Sequence, residues 1–112
     1  MNNYKIDKKT LESIEERISE WKNEGKSVVF ISLEDDPVDL ICKVPGELDL
    51  KKAAKVNDDF DKNKQLVLDC VLYPELDVFN RILFEKPLIV TPISTELVRL
   101  SGITQKAIVK NL

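Results

Sequence analysis

Two thiols are the most reactive side chains in this sequence, and they raise the question of nucleophilic catalysis. A cysteine nucleophile needs a neighbouring base, which is most often histidine. The chain has 112 residues and no histidine, so a Cys–His or Ser–His pair is excluded. Cys70 follows Asp69, whose negative charge would raise the thiol pKa rather than lower it. The neighbours of Cys70 at helical spacing are largely apolar, so we predict a core residue. The spacing leaves open whether Cys42 and Cys70 pair.

Carboxylates crowd the segment LEDDPVD, which holds Glu34, Asp35, Asp36 and Asp39. Such a group could bind magnesium or serve the two-carboxylate chemistry of glycoside hydrolysis. The same residues are also typical of a tight turn, because Asp and Pro favour turn conformations. We favour the turn.

A second acidic segment invites comparison with a calcium-binding loop. With Asp59 as the first ligand, Asp61 and Asn63 fall at the third and fifth positions. Lys64 then stands where the loop needs glycine, and Cys70 stands where it needs a bidentate glutamate. The pattern therefore favours the acidic start of a solvated helix. We predict no metal, no cofactor and no enzymatic activity.

A possible basic patch consists of Lys8, Lys9, Lys51, Lys52 and Lys55. The last three share one helical face and are the candidates for contacting nucleic acid. No aromatic residue is interleaved with them for base stacking. The net charge of the chain is −3, whereas binding to nucleic acid depends largely on neutralising phosphates. A solvated helix face is the favoured interpretation, and nucleic-acid binding is kept as a weaker alternative.

A single domain over residues 1–112 is predicted to position these side chains. Its first element is a helix predicted over 10–24. Thr10 is its expected N-cap and Gly25 its expected end. Four apolar residues at 3, 4, 3 spacing share one stripe. This N-terminal stripe either docks on its own domain or contacts a partner, and it consists of Leu11, Ile14, Ile18 and Trp21.

A β-hairpin is predicted over residues 26–45, with its turn at Asp35 to Pro37. Val38, Leu40, Cys42 and Val44 alternate onto one face of the second strand. An isolated hairpin is marginally stable, so helices must cover its apolar face, and a strand from another chain could extend it.

The remainder, 47–112, is predicted to form four or five short helices, which gives an α+β fold of N-terminal helix, β-hairpin and helical cluster. Pro74 is expected to end the second of these helices after Tyr73. The helix over 91–102 should begin with Thr91 as cap and Pro92 at its first position, and it should end before Gly102. The predicted helices cover 48–56, 58–73, 75–85, 91–102 and, as a last frayed turn, 104–112. The residues predicted to face inward are Leu66, Val67, Cys70, Val71, Leu76, Phe79, Ile82 and Leu83.

Targeting features are absent from the sequence pattern. No apolar run approaches the roughly 20 residues needed to span a bilayer. The segment MNNYKIDKKT has no apolar core of the kind that secretory signals carry. Two cysteines suit a reducing compartment. We therefore expect a cytoplasmic protein with no membrane contact.

Residues 28–102 resemble the small tail-assembly chaperones of long-tailed bacteriophages and prophages. The likeness rests on three segments in order, CKVPGELDLKKA, KQLVLDCVLYPE and ELVRLSG. One departure is VPGE, where that family often has threonine after the proline. The resemblance implies a non-enzymatic protein in the bacterial host cytoplasm that binds the tape-measure protein, helps to recruit tail-tube subunits and is absent from the finished virion.

Under this hypothesis the N-terminal stripe of Leu11, Ile14, Ile18 and Trp21 supplies the partner contact or a self-association contact. A tape-measure protein is a long helical chain with exposed apolar stripes, which a small domain could shield. The alternatives are an adaptor or accessory protein of a prophage or mobile element, and a small nucleic-acid-binding protein.

Overall fold

The structure is a computed structural model that describes residues 3–103 and 107–112. It confirms the predicted α+β fold: an N-terminal helical segment, an antiparallel sheet and a cluster of helices. A 3₁₀ turn at Pro87–Ile89 precedes the last α-helix, and a π-helical turn at Arg99–Ile103 follows it. The helices are α1 Lys8–Ser13, α2 Glu15–Asn23, α3 Glu47–Ala54, α4 Asp59–Cys70, α5 Leu76–Glu85 and α6 Val90–Val98, and the strands are β1 Val28–Ser32, β2 Asp39–Lys43 and β3 Val71–Tyr73.

The predicted hairpin is present, and one of its faces lies in the main core. β1 and β2 pair antiparallel, with Val29 opposite Cys42 and Ile31 opposite Leu40. Because paired residues share a face, these four side chains point the same way. The core cluster includes Val38, Leu40 and Cys42 from the sheet, and its helical members include Leu66, Val67, Cys70, Phe79, Ile82, Leu83, Ile93 and Leu97.

A third strand replaces the end of the helix predicted over 58–73, so that boundary was wrong. α4 ends at Cys70, and Val71 adopts an extended backbone. β3 then pairs antiparallel with β2, opposite Ile41 and Cys42. The β-branched Val71 suits a strand, and the residue before a proline is displaced from the α region. The Tyr73–Pro74 peptide bond is cis.

The opposite face of β2 is also buried, which alternation alone did not reveal. Asp39 is 5% exposed and Ile41 is 2% exposed. The chain before α1 runs along β2 at this point: the Tyr4 N–H donates to the Pro37 carbonyl at 2.7 Å, and the Asp39 N–H donates to the Tyr4 carbonyl at 3.2 Å. The N-terminal segment therefore covers part of the sheet that β3 leaves open.

The carboxylate of Asp39 fixes that segment to the sheet. It accepts hydrogen bonds from Ser32 Oγ at 2.6 Å and from the Ile6 N–H at 2.9 Å, and Lys5 Nζ lies 3.4 Å away. Burial acts to raise the pKa of Asp39, but these hydrogen bonds and the lysine charge outweigh it, so the pKa lies below its usual value.

The predicted helix over 10–24 is two helices. Asp7, not Thr10, caps α1, because its carboxylate accepts from the Thr10 N–H at 2.7 Å. The break falls at Ile14, whose backbone is not helical and whose side chain is buried. α2 ends before Gly25, whose positive φ of 89° suits the predicted glycine stop.

Several details of the helical cluster differ from prediction. α6 begins at Val90 directly after the 3₁₀ turn, so Thr91 and Pro92 lie inside its first turn and Thr91 is not the cap. Gly102 does interrupt the helix, with φ of 107°. Residues 107–112 are not helical, and 104–106 lie outside the described residues. Leu76, predicted to face inward, is exposed at the first turn of α5.

Replacing Asp39 by asparagine should lower the free energy of unfolding by about 1–3 kcal/mol, because hydrogen bonds to a buried charged group are lost. Chemical denaturation near neutral pH measures this change. Since the folded pKa is lowered, the contribution of Asp39 is present above its ordinary value of 3.8 and is lost as the pH falls below it. The difference in unfolding free energy between the wild-type chain and Asp39→Asn should therefore become smaller in acid. Asp35→Asn, at an exposed position, is the control, and equal losses in both variants would contradict the assignment.

Candidate functional site

The two cysteines lie in the core and are not poised for catalysis. Both thiols are free and completely buried. Burial raises the pKa of Cys42 to about 12, with a further contribution from the neighbouring Cys70. Burial likewise raises the pKa of Cys70 to about 12, assisted by the charge of Asp49. The prediction of a core Cys70 is confirmed, and both thiols are protonated and unreactive at neutral pH.

The acidic residues of LEDDPVD separate into different structural roles. Asp39 is the buried anchor of the N-terminal segment, and Asp36 Oδ1 pairs with Lys86 Nζ at 2.7 Å. Glu34 and Asp35 remain exposed in the turn after β1. The four carboxylates therefore do not form a metal site. Glu34, Asp35 and Asp36 lie in the predicted turn, whereas Asp39 belongs to β2.

The second acidic segment forms the start of α4. Asp58 caps the helix by accepting from the Asp61 N–H at 2.9 Å, and Asp59 and Asp61 stand in its first turn. Acidic residues at this end complement the helix dipole. Across the residues that the structure describes, no group of three or more cysteine or acidic side chains is arranged to hold a metal ion.

Two of the three candidate lysines for nucleic acid already have acidic neighbours. Lys51 Nζ lies 2.9 Å from Glu47, and Lys52 Nζ lies 3.4 Å from Asp69. Each such pair reduces the positive charge available to phosphates. The surface of α3 therefore carries both positive and negative side chains, which gives the nucleic-acid alternative little electrostatic support.

The N-terminal stripe is partly used by the fold itself. Leu11 is exposed, Ile14 is buried, and Ile18 and Trp21 are half-buried. Ile14 thus contributes to the structure in the isolated chain and offers little to a partner. The assignment of the N-terminal stripe as a partner contact stays a prediction. It now rests on the exposed Leu11 and on the solvent-exposed parts of Ile18 and Trp21.

Arg17 connects this stripe to the rest of the domain. Its guanidinium binds Glu75 through two nitrogens, at 2.9 and 3.4 Å, and lies 5.3 Å from the centre of the Trp21 ring. It is also 6.0 Å from the Tyr73 ring. Cation–π contact and a bidentate carboxylate pair together tie α2 to the corner after β3.

An apolar surface on α5 and the turn that follows it went unnoticed in the sequence. Phe84 is 89% exposed and Leu88 is 74% exposed. The buried residues of α5 are Phe79, Ile82 and Leu83. A helical projection of that buried stripe leaves Phe84 outside it, and this signal could have identified the surface. We call Phe84, Leu88 and the exposed Leu76 the α5 surface.

A groove lies between β1 and α6. It is an open groove of about 820 Å³, lined by β1, the acidic turn after it and one side of α6. Phe30 on β1 and Leu100 after α6 are both partly exposed there. A groove beside an unpaired strand can receive an extended chain.

Comparison with known proteins supports the fold and leaves function open. No family model matches the chain, and no curated protein matches it. A solved structure of an uncharacterised protein from Bacillus stearothermophilus is similar over 83% of this chain and 99% of its own, with a TM-score of 0.68 and 17% sequence identity. At that identity the likeness establishes the shared fold. No helix among the described residues has the length and apolar character needed to cross a bilayer.

The reactivity of the two thiols tests whether Cys42 and Cys70 are buried in the core. A chromogenic disulfide reagent should react with neither cysteine in the native protein and with both after denaturation. Because both folded pKa values are raised from 9.0 to about 12, each thiol favours folding below pH 9 and loses that contribution as the pH rises towards 12. The loss should be about 1.4 kcal/mol per pH unit for each thiol.

The control for this test is a variant with Cys42→Ala and Cys70→Ala. It should be less stable at neutral pH because of the cavities it creates, yet its stability should fall less steeply between pH 9 and 12. Rapid labelling of either cysteine in the native protein would show that the thiol is accessible and would contradict the interpretation.

Proposed function

We propose that this chain is a non-enzymatic tail-assembly chaperone of a long-tailed phage or prophage. In this role it binds the tape-measure protein in the bacterial cytoplasm, helps to recruit tail-tube subunits and leaves before the virion is complete. The resemblance over residues 28–102 supplies the specific partner. The burial of both thiols and the structural use of Asp39 and Asp36 favour a protein that works by binding.

One observation carries the binding role, and it is the exposure of the α5 surface. Phe84 and Leu88, four positions apart in the sequence, both present large apolar side chains to solvent. Aromatic and aliphatic anchors of this kind dominate the energetics of protein interfaces. An apolar helix stripe on a tape-measure protein is a complementary partner, since helices are commonly recognised through apolar residues that enter a hydrophobic surface.

Charge gives this interaction a second feature. The chain carries a net charge of −3, and the charged residues Glu85 and Lys86 lie between the two apolar anchors in the sequence. An apolar centre with a charged rim excludes water at the centre and keeps the free protein from aggregating. A chaperone needs both properties, because it must exist free before its client is made.

The proposal is tested by producing the chain together with the tape-measure protein encoded near it. We expect the tape-measure protein to move from the insoluble to the soluble fraction and to be recovered with the chain on affinity purification. Phe84→Asp with Leu88→Asp should reduce that recovery at least about tenfold, because a charge replaces each apolar anchor. Leu48→Asp is the matched control, since Leu48 on α3 is 81% exposed.

Three results separate the alternatives. Equal recovery with the α5 double variant and the Leu48 control would remove the α5 surface from the proposal. An insoluble tape-measure protein, with the chain eluting alone, would leave an adaptor of another protein as the better account. Binding to DNA or RNA that weakens steeply with salt would support the nucleic-acid alternative instead.

The N-terminal stripe is tested in the same assay. Leu11→Asp places a charge on the exposed part of the stripe and should weaken recovery if the stripe contacts the client. Trp21→Ala removes the ring against which Arg17 packs, so its unfolding free energy must be measured beside its binding. If neither variant changes the recovery or the oligomer size, the stripe serves only the fold.

A further inference from the structure

Within the part of the chain that the structure describes, no strand pairs with the outer edge of β1. The Val44 N–H donates to the Ser27 carbonyl at 2.8 Å, and the Leu33 N–H donates to the Val38 carbonyl at 3.1 Å. In an antiparallel pair the residues that face the partner strand alternate. With the observed register, the odd-numbered residues from 27 to 33 therefore bond to β2. The N–H and C=O groups of Val28, Phe30 and Ser32 point away from the sheet, because β1 is an edge strand.

The groove beside this edge has an apolar floor and an acidic end. Phe30 is 49% exposed, and Leu100 approaches from beyond α6. The acidic end contains Glu34 and Asp35, which have no ion-pair partner among the described residues. The other charges that line the groove are satisfied within the domain, since Asp36 pairs with Lys86 and Glu96 pairs with Arg99.

The C-terminal segment Ala107–Leu112 has the features that this groove requires. It is not helical, and Ile108 and Val109 are 85% and 88% exposed. Two adjacent β-branched residues favour an extended strand. The next residue is Lys110, whose positive charge complements Glu34 and Asp35.

We propose that the C-terminal segment of a second copy of this chain adds to the outer edge of β1 as a fourth strand. Its backbone would pair with Val28, Phe30 and Ser32, an apolar side chain would enter the groove beside Phe30, and Lys110 would approach the acidic turn. Strand addition of this kind satisfies an open edge that proteins otherwise protect. The contact links two copies, since in the single chain the segment lies exposed to solvent.

The contact is directional, and this property allows a decisive test. Each copy contributes a segment and an edge, so a variant can lose one and keep the other. Ile108→Asp places a charge in the segment, and Phe30→Asp places one in the groove. We expect the wild-type chain to self-associate in analytical ultracentrifugation, and each variant to raise the dissociation constant at least about tenfold.

Mixing the two variants should restore association. The Phe30→Asp chain still has an intact segment, and the Ile108→Asp chain still has an intact edge. One contact of the proposed kind can therefore form between them, and the mixture should give a one-to-one heterodimer. Formation of this heterodimer also shows that the Ile108→Asp chain, which supplies the strand edge, is folded. Its absence, or a wild-type chain that stays monomeric at every concentration, would overturn the proposal.

A backbone measurement identifies the edge itself. Amide hydrogen exchange should slow at Phe30 and Ser32 when the wild-type chain associates, whereas Val29 and Ile31 are already bonded within the sheet. The same amides should exchange rapidly in Ile108→Asp. The control is Leu48→Asp, which introduces the same charge on α3 and should leave association unchanged. Association without slower exchange at Phe30 and Ser32 would place the contact elsewhere and refute strand addition. Both experiments use only the purified chain, so their outcome is independent of any tape-measure protein.

Discussion

The structure depends on the burial of β2 on both of its faces. Without cover, this central strand would expose an apolar surface on each side, and burial of such surface is the dominant driving force of folding. The helices α4, α5 and α6 cover one face, and the segment before α1 covers part of the other. Asp39 makes the second arrangement specific, since its buried carboxylate is satisfied only when Ser32, Ile6 and Lys5 are in place.

This constraint accounts for most of the residues that could have carried chemistry. Cys42 and Cys70 meet in the core, where burial keeps both thiols protonated. Asp39 anchors the N-terminal segment, and Asp36 joins the turn after β1 to Lys86. Arg17 uses its charge to hold α2 against the corner after β3. These particular groups are committed to packing and pairing, and the exposed surface carries the features that a partner could contact.

The two surfaces that we propose as binding features differ in physical character. The α5 surface presents side chains, and a helical partner can bury them without changing the fold. The edge of β1 presents backbone groups, and it accepts an extended chain through main-chain hydrogen bonds. Because the two features require different partners, one molecule can associate with its own kind through β1 while its α5 surface remains open to a client.

The sequence by itself determined the class of the fold and the chemistry that is absent from it. Strand composition and the turn at Asp35 to Pro37 identified the hairpin of β1 and β2, helical periodicity identified the core residues of α4 and α5, and the lack of histidine excluded the usual nucleophile pairs. These features are local or compositional, so they need no knowledge of neighbours in space. The tertiary structure decided where α4 gives way to β3, because Val71–Tyr73 pairs with a strand that lies about thirty residues earlier in the chain. It also decided that Asp39 is buried, since Lys5 and Ile6 cover it from a distant part of the sequence. Ile14 is likewise buried, whereas Phe84 stays exposed because none of the described residues packs closely over it.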